Sequence, residues 1–169
     1  MKLQTDRLEM VQITVDDWGL FQSLNQDPAV ISLCFDEPSH EAMKESFESR
    51  LPAWNKGSEH WLCLTMTQKE TGQKIGVTGF RIVNGTAEVG YLILPQYHGQ
   101  GFGTESLRAL VSWASEEQGI RSFGAIVTEG NIGSEKVLTK SGFTLKKVVP
   151  EAYEIGGKLY ADHIYSCEK

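Results

Sequence analysis

Apolar and polar positions along this chain switch between two spacings, and the switches mark out its elements. Arg7 to Ile13 reads as a first strand. Thr14 is placed to cap a helix that opens with Asp16 and Asp17, both suited to its N-terminal dipole, and carries Trp18, Phe21 and Leu24 on one face. Asp27-Pro28 interrupts it, a short apolar segment runs from Ala29 to Phe35, and Ser39 caps a further helix with Met43, Phe47, Leu51 and Trp54 at helical spacing. Strand patterns follow over Trp61 to Thr67, Lys74 to Val83 and Ala87 to Leu94. The last two are joined by Asn84-Gly85, a hairpin signal because both central residues must tolerate positive φ. A helix from Thr104 to Gln118 puts Leu107, Leu110, Val111 and Ala114 on one face, with Gly119 placed to end it. Ser122 to Val127 is a strand, Ser134 to Lys140 a short helix ended by Ser141-Gly142, and Phe143 to Val149 and Leu159 to Cys167 close the set.

The order β-α-α-β-β-β-α-β-α-β-β predicts an α/β chain with a mixed sheet and helices on both faces. With 169 residues and no repeat or composition break, residues 1–169 are expected to form a single domain. A chain of that size buries about 68–70% of its unfolded surface.

Sixteen Lys+Arg against 22 Asp+Glu leave a net charge of −6. That balance, with no basic cluster, argues against nucleic acid as a partner and favours a cationic one. The three cysteines, Cys34, Cys63 and Cys167, form no C-x-x-C pair or His/Cys cluster, so neither a metal nor a disulfide framework is expected. Neither an apolar leader nor a run of membrane-spanning length is present, which makes the cytoplasm the expected compartment and a membrane an unexpected partner.

The densest signal is the run His98-Gly99-Gln100-Gly101-Phe102-Gly103 between a buried strand and a helix. Glycines let successive backbone N–H groups approach a phosphate, and the helix behind them adds unpaired amides and a positive dipole end. Two nucleotide motifs fail here. A P-loop needs Lys and Ser/Thr after its last glycine, where this chain has Thr104 and Glu105. A dinucleotide fingerprint starting at Gly99 or Gly101 needs a third glycine where Thr104 or Ser106 stands. The bland alternative is that these glycines are tight-turn punctuation.

With those residues in view, the chain resembles the GNAT acetyltransferases over nearly its whole length. His98 to Gly103 aligns with the family's pyrophosphate loop [QR]-x-x-G-x-[GA], and Asn131-Ile132-Gly133-Ser134 followed by Gly142-Phe143 aligns with its second signature. Thr5-Asp6-Arg7-Leu8, Glu88-Val89-Gly90-Tyr91, Gly101-Phe102-Gly103-Thr104-Glu105 and Tyr160-Ala161-Asp162 resemble the ribosomal-protein-alanine N-acetyltransferase-like branch. The resemblance implies the acyl-CoA N-acyltransferase fold, a mostly antiparallel sheet with helices on both faces. It also implies acetyl-CoA as co-substrate and direct transfer of the acetyl group to an amine. Two positions depart from the pattern: His98 replaces the family's Gln/Arg, and Leu138 replaces a tyrosine that many members carry.

The resemblance implies cofactor contacts from Leu92, Ile93, Leu94, His98, Gly99, Gln100, Gly101, Phe102, Gly103, Thr104, Asn131 and Ser134. With His98 in place of Gln/Arg, the amides of Gly99 to Thr104 must carry most of the pyrophosphate binding. The oxyanion would rest on backbone N–H groups where Leu92-Ile93-Leu94 splays from the next strand. Ser134 is the candidate proton donor to the departing sulfur, against helix capping as the alternative. Glu88, a carboxylate in an otherwise apolar run, is the candidate for the amine's proton, against a solvent-facing strand residue; a water chain is the other route. Asn131 is either an amide for the pantetheine arm or a turn residue. His40, His60 and His163 are further basic candidates, and Trp54, Trp61, Tyr153 and Tyr160 are candidates for the acceptor cleft. The acidic Asp36-Glu37-Pro38 stands at the expected acceptor entrance.

Three functions compete. The first is acetylation of a protein N-terminus, whose α-amine pKa near 7.7–8.0, against about 10.4 for lysine, asks for little help. The second is acetylation of a small amine such as a polyamine, amino acid or antibiotic, and the third is an acyl-CoA-binding module without catalysis. Monomer and homodimer are both open.

Overall fold

The structure, a computed structural model, describes residues Met1–Lys169. Strands β1 (Lys2–Gln4) and β2 (Leu8–Gln12) precede α1 (Trp18–Gln26), α2 (Pro28–Ile31) and α3 (His40–Ser49). A meander follows, β3 (Leu62–Gln68), β4 (Lys74–Val83) and β5 (Thr86–Ile93), with α4 (Phe102–Gln118) after it. The chain ends with β6 (Ser122–Thr128), α5 (Ile132–Lys140), β7 (Thr144–Ile155) and β8 (Lys158–Glu168). All eight strands join one sheet in the order β1-β2-β3-β4-β5-β6-β8-β7. No helix is long and apolar enough to cross a membrane.

Local chemistry sets most boundaries. Thr14 and Asp17 form a capping box around the turn that opens α1, Asp27 caps α2 with Pro28 behind it, and Ser39 accepts from the Ala42 N–H at the start of α3. Asn84 and Gly85 both have positive φ, at 50° and 81°, and turn β4 into β5 as a tight hairpin.

Several boundaries differ by a residue or two from the sequence expectation, and four differences have a physical reason in the fold. β1 is an added strand: three residues carry too little alternation to be seen, and their pairing with β2 is what makes them a strand. β7 runs on past Val149 to Ile155, because an irregularity between Val149 and Tyr153 absorbs Pro150 on a sheet edge, where no ladder bond is lost. α3 stops at Ser49, ahead of Pro52, so Trp54 lies beyond it and packs edge-on against Phe80 at 5.3 Å. α5 starts at Ile132, since Asn131 rather than Ser134 is its cap.

The sheet buries a separate apolar cluster on each face. Phe80, Phe102, Leu107, Leu110, Phe123, Leu138 and Phe143 belong to the larger one, with α4 and α5. Ile13, Phe21, Leu24, Met43, Phe47, Cys63 and Val77 form the smaller one, under α1 and α3. Truncating a fully buried phenylalanine such as Phe123 to alanine costs about 3–5 kcal/mol.

Only one strand pair is parallel. β5 and β6 run together for Thr86↔Ser122, Ala87↔Phe123 and Glu88↔Gly124, and then part. That parting places the site.

Candidate active site

Beyond Glu88 and Gly124 the two strands diverge, and a cavity of about 520 Å³ passes between them. Val89 to Leu92 line one side and Ala125 to Thr128 the other. Above one face of the sheet the walls come from α1 and α3, through Phe21, Met43 and Arg50; below the other they come from Asn131, Ser134 and Leu138 of the α5 segment. A groove open to both faces lets two different molecules meet at one point.

At the end of β5 the chain enters the glycine run. Gly99 and Gly101 adopt φ of 71° and 84°, a region that admits glycine freely and a β-branched residue only with strain. No backbone N–H from Gly99 to Thr104 has a hydrogen-bond acceptor within the protein, whereas the next, of Glu105, donates to the Gly101 carbonyl at 3.0 Å. Six successive free amides at a helix N-terminus form a cradle for an anion such as a pyrophosphate. Side chains from this run turn elsewhere: the His98 imidazole bonds the Ile93 carbonyl at 2.6 Å, and Gln100 Nε2 donates to the Gln96 carbonyl at 3.0 Å.

A clamp from the N-terminus holds the cradle. Arg7 Nη1 donates to the Gln100 carbonyl at 2.9 Å, Arg7 Nε to Glu105 Oε1 at 2.7 Å, and the Arg7 N–H to Glu105 Oε2 at 3.0 Å. Thr5 donates its hydroxyl to the same carboxylate, and the Arg7 guanidinium stacks 4.1 Å from the Phe102 ring centroid. Partial burial acts to raise the Glu105 pKa, but the bonds from Thr5 and Arg7 and the Arg7 charge outweigh it and hold the carboxyl below its ordinary range. The sequence shows these residues only as two short motifs far apart; their contact is a product of the fold.

On the splayed strand, the Leu94 N–H donates to the Ile75 carbonyl at 2.9 Å, so Leu94 is not a free oxyanion donor. Alternation along the antiparallel β4–β5 ladder then turns the Ile93 N–H toward the open side. Ser134 lines the cavity; its N–H donates to Asn131 Oδ1 at 3.3 Å, which makes Asn131 the cap and leaves the Ser134 hydroxyl without a partner inside the protein. Leu138 is fully buried where the family's tyrosine would be, yet a phenol is present from another element. Tyr91 on β5 lines the cavity and donates to the Ser134 carbonyl at 3.3 Å; burial pushes its pKa up to about 12.

The Acetyltransferase (GNAT) domain model matches residues 7–144. The chain belongs to the GNAT acetyltransferases. A curated relative, the uncharacterized N-acetyltransferase YoaA of Bacillus subtilis, is 29% identical over 99% of this chain and 96% of its own length. Among solved structures the fold is similar to RimL, a ribosomal alpha-N-protein acetyltransferase in complex with coenzyme A, with a TM-score of 0.86 at 19% identity over 99% of this chain and 98% of the other. It is also similar to the spermidine N-acetyltransferase of Vibrio cholerae in complex with CoA and spermine, with a TM-score of 0.83 at 15% identity over 97% and 96%. The protein is therefore an acetyl-CoA-dependent N-acetyltransferase with acetyl-CoA as co-substrate. Its unpaired Gly99–Thr104 amides fit the pyrophosphate of that co-substrate.

Across the sheet from α5, this GNAT cavity is walled by side chains. Trp61 packs on β5 at Gly90, where an added Cβ would come within 3.2 Å of the indole. The Arg50 guanidinium lies 5.5 Å from the Trp61 ring and 5.6 Å from that of Phe21. Cys63 sits beside it as a neutral thiol, its pKa pushed up to about 11 by burial, which outweighs the nearby Arg50 charge. Burial likewise raises the Cys34 thiol. Of the acidic entrance, Asp36 and Pro38 line the cavity, and Asp36 Oδ1 accepts the Gly156 N–H at 2.8 Å from the β7–β8 turn.

The remaining candidates scatter. Glu88 is the last β5 residue paired with β6; it lies across from Arg81, forms no ion pair and is not among the cavity's lining residues. His40 stands edge-on to Trp18, His60 bonds the Pro52 carbonyl, and His163 pairs with Glu135, all outside the cavity. Trp54 is half-buried against the larger cluster, and Tyr153 and Tyr160 face each other on the β7–β8 hairpin. Nothing in the sequence marks Arg50, which reads as an ordinary basic residue at a helix end; Arg7 and Tyr91 stand in short motifs that give no sign of their contacts.

Proposed function

We propose that this enzyme transfers acetyl to an α-amine, with the N-terminus of a protein as the acceptor. The observation that carries the reading is the parting of β5 from β6 beside six unpaired amides. It gives one molecule a phosphate anchor and a backbone donor, and gives a second access from the opposite face. The fold similarity to RimL supports a protein N-terminus. The enclosed walls of α1 and α3 favour a small amine as the second reading, which the similarity to the spermidine enzyme also supports.

Bound acetyl-CoA supplies the thioester carbonyl. The Gly99–Thr104 amides hold its pyrophosphate, and the Ile93 N–H receives the charge that develops on the carbonyl oxygen as the C–N bond forms. Glu88, at the apex of the parting strands, takes the amine's proton through water. When the C–S bond breaks, the Ser134 hydroxyl gives its proton to the sulfur and recovers one from solvent. Thiol release from acetyl-CoA with a panel of N-terminal peptides and small amines tests the reading. Turnover with peptides carrying a free N-terminus, and none with the same peptides blocked, is the expected result. Binding of acetyl-CoA with no turnover on any amine would make the protein a binding module.

A further inference from the structure

We propose that the amine acceptor also bears a carboxylate, which Arg50 grips through its Nε and Nη2. The inference deepens the reading of this cavity as an acceptor pocket and rests on it. Arg50 is the residue that ends α3, and its guanidinium is set by that helix: Nη1 donates to the Ser46 carbonyl at 2.8 Å and to the Ser46 hydroxyl at 2.6 Å. Nε and Nη2 meet no oxygen acceptor of the protein; the group against the guanidinium is the Cys63 thiol, a weak sulfur acceptor. These two nitrogens form one edge of the planar group, the edge that meets both oxygens of a carboxylate at once.

No anion of the protein neutralises this charge. The molecule's ion pairs involve Lys2, Arg7, Lys44, Lys74 and His163, and Arg50 is in none of them. Cys63, the ionisable group against the guanidinium, is a neutral thiol at pH 7. A second cation deepens the deficit: the Arg81 guanidinium lies 5.7 Å from the centroid of the same Trp61 ring, and its buried Nε has no partner. Among the cavity's lining residues the charged side chains are Arg50 and Asp36, and Asp36 is exposed at the rim and already accepts the Gly156 N–H.

A half-buried guanidinium close to a second one, with two donors that meet no oxygen, repels a ligand whose only charge is an amine. It attracts one that brings an anion along. Phe21 and Trp61 flank the guanidinium and hold it in the wall, which reduces the ordering needed on binding. The carboxylate can come from two sources: the α-carboxylate of a free amino acid, or an acidic side chain next to the N-terminus of a peptide.

Matched pairs test this with saturating acetyl-CoA. Alanine is compared with alaninamide, and a C-terminally amidated peptide beginning Ala-Asp with the same peptide beginning Ala-Asn. The acid should exceed its neutral partner in kcat/KM by about 10- to 100-fold, the scale of a hydrogen bond to a charged group. The arm in which it does so identifies the source. Arg50→Gln should collapse that ratio toward unity and Arg50→Lys should keep part of it, each in protein whose melting curve shows it folded. Equal rates for acid and neutral partner in both arms, or a ratio that survives Arg50→Gln, would overturn the proposal. If no amine in either arm is acetylated, the transferase reading of the cavity is what falls. Calorimetric binding of the same pairs to wild-type enzyme with CoA then decides Arg50 alone: acid over amide supports the proposal, and equal binding overturns it.

Discussion

The cavity wall under α1 and α3 and the glycine run at the end of β5 are built from different materials. In the glycine run the unpaired groups are backbone amides, contributed by six consecutive residues from Gly99 to Thr104 and stiffened by the Arg7–Glu105 clamp. On the wall proposed for the acceptor they are side chains, Phe21, Arg50 and Trp61, brought together from α1, the end of α3 and the approach to β3. Backbone recognition depends on glycines at fixed positions and so tolerates few sequences. Side-chain recognition depends on whichever residues the fold happens to bring to one wall. The difference explains how one fold holds one co-substrate and serves many amines.

The sharpest way to break this division is at the proposed transfer step. Ser134→Ala should lower turnover by roughly 10²–10⁴-fold while acetyl-CoA affinity and melting temperature hold, since Asn131 is the residue that caps α5. If single-turnover kinetics put that loss on Tyr91→Phe instead, the proton comes from β5, and the Ser134 assignment is wrong. Gly101→Val tests the cradle alone. A β-branched residue at a φ of 84° cannot keep the loop, so titration calorimetry should find acetyl-CoA binding weakened by roughly 10²-fold in a folded protein. Unchanged affinity would remove the amides from the mechanism.

Glu88→Gln should have a smaller effect. An α-amine of pKa near 7.7–8.0 is already about a tenth free base at pH 7, so a loss of about tenfold in kcat is expected, shrinking as pH rises. A loss that does not change with pH would assign Glu88 to the sheet, opposite Arg81.

The smallest effect concerns the clamp. Folding lowers the Glu105 pKa below its ordinary value of 4.5, so the carboxylate contributes stability that is fully present above that value. The contribution is lost as pH falls through the folded pKa. Denaturant titrations should therefore show Glu105→Gln less stable than wild type at pH 7, with the gap closing in acid. A gap that is constant from pH 7 to pH 3 would rule out the charge as its source.

Much of the frame is legible without coordinates. The Asn84-Gly85 hairpin, the Ser39 cap, Gly119 at the end of α4 and the glycine run all act within a few residues of themselves, so their sequence is their mechanism. Asn131 and Ser134 were also visible, but which of them caps α5 was not, because two side chains able to cap stand three positions apart. Leu94 shows the same limit, since its N–H is taken by Ile75 across the sheet. His98 does too: its imidazole folds back onto the Ile93 carbonyl, a partner that exists only once the loop has closed.

The sequence by itself determined the order of most elements, the glycine run and the family, because turns, caps and glycine conformations are settled by neighbours along the chain. The tertiary structure decided the parting of β5 from β6, the Arg7–Glu105 clamp, and the placing of an unpaired Arg50 beside Trp61. Those features are contacts between segments tens of residues apart. Such contacts come from burying the two apolar faces of one sheet, and a linear pattern carries no record of which distant side chains that burial will make neighbours.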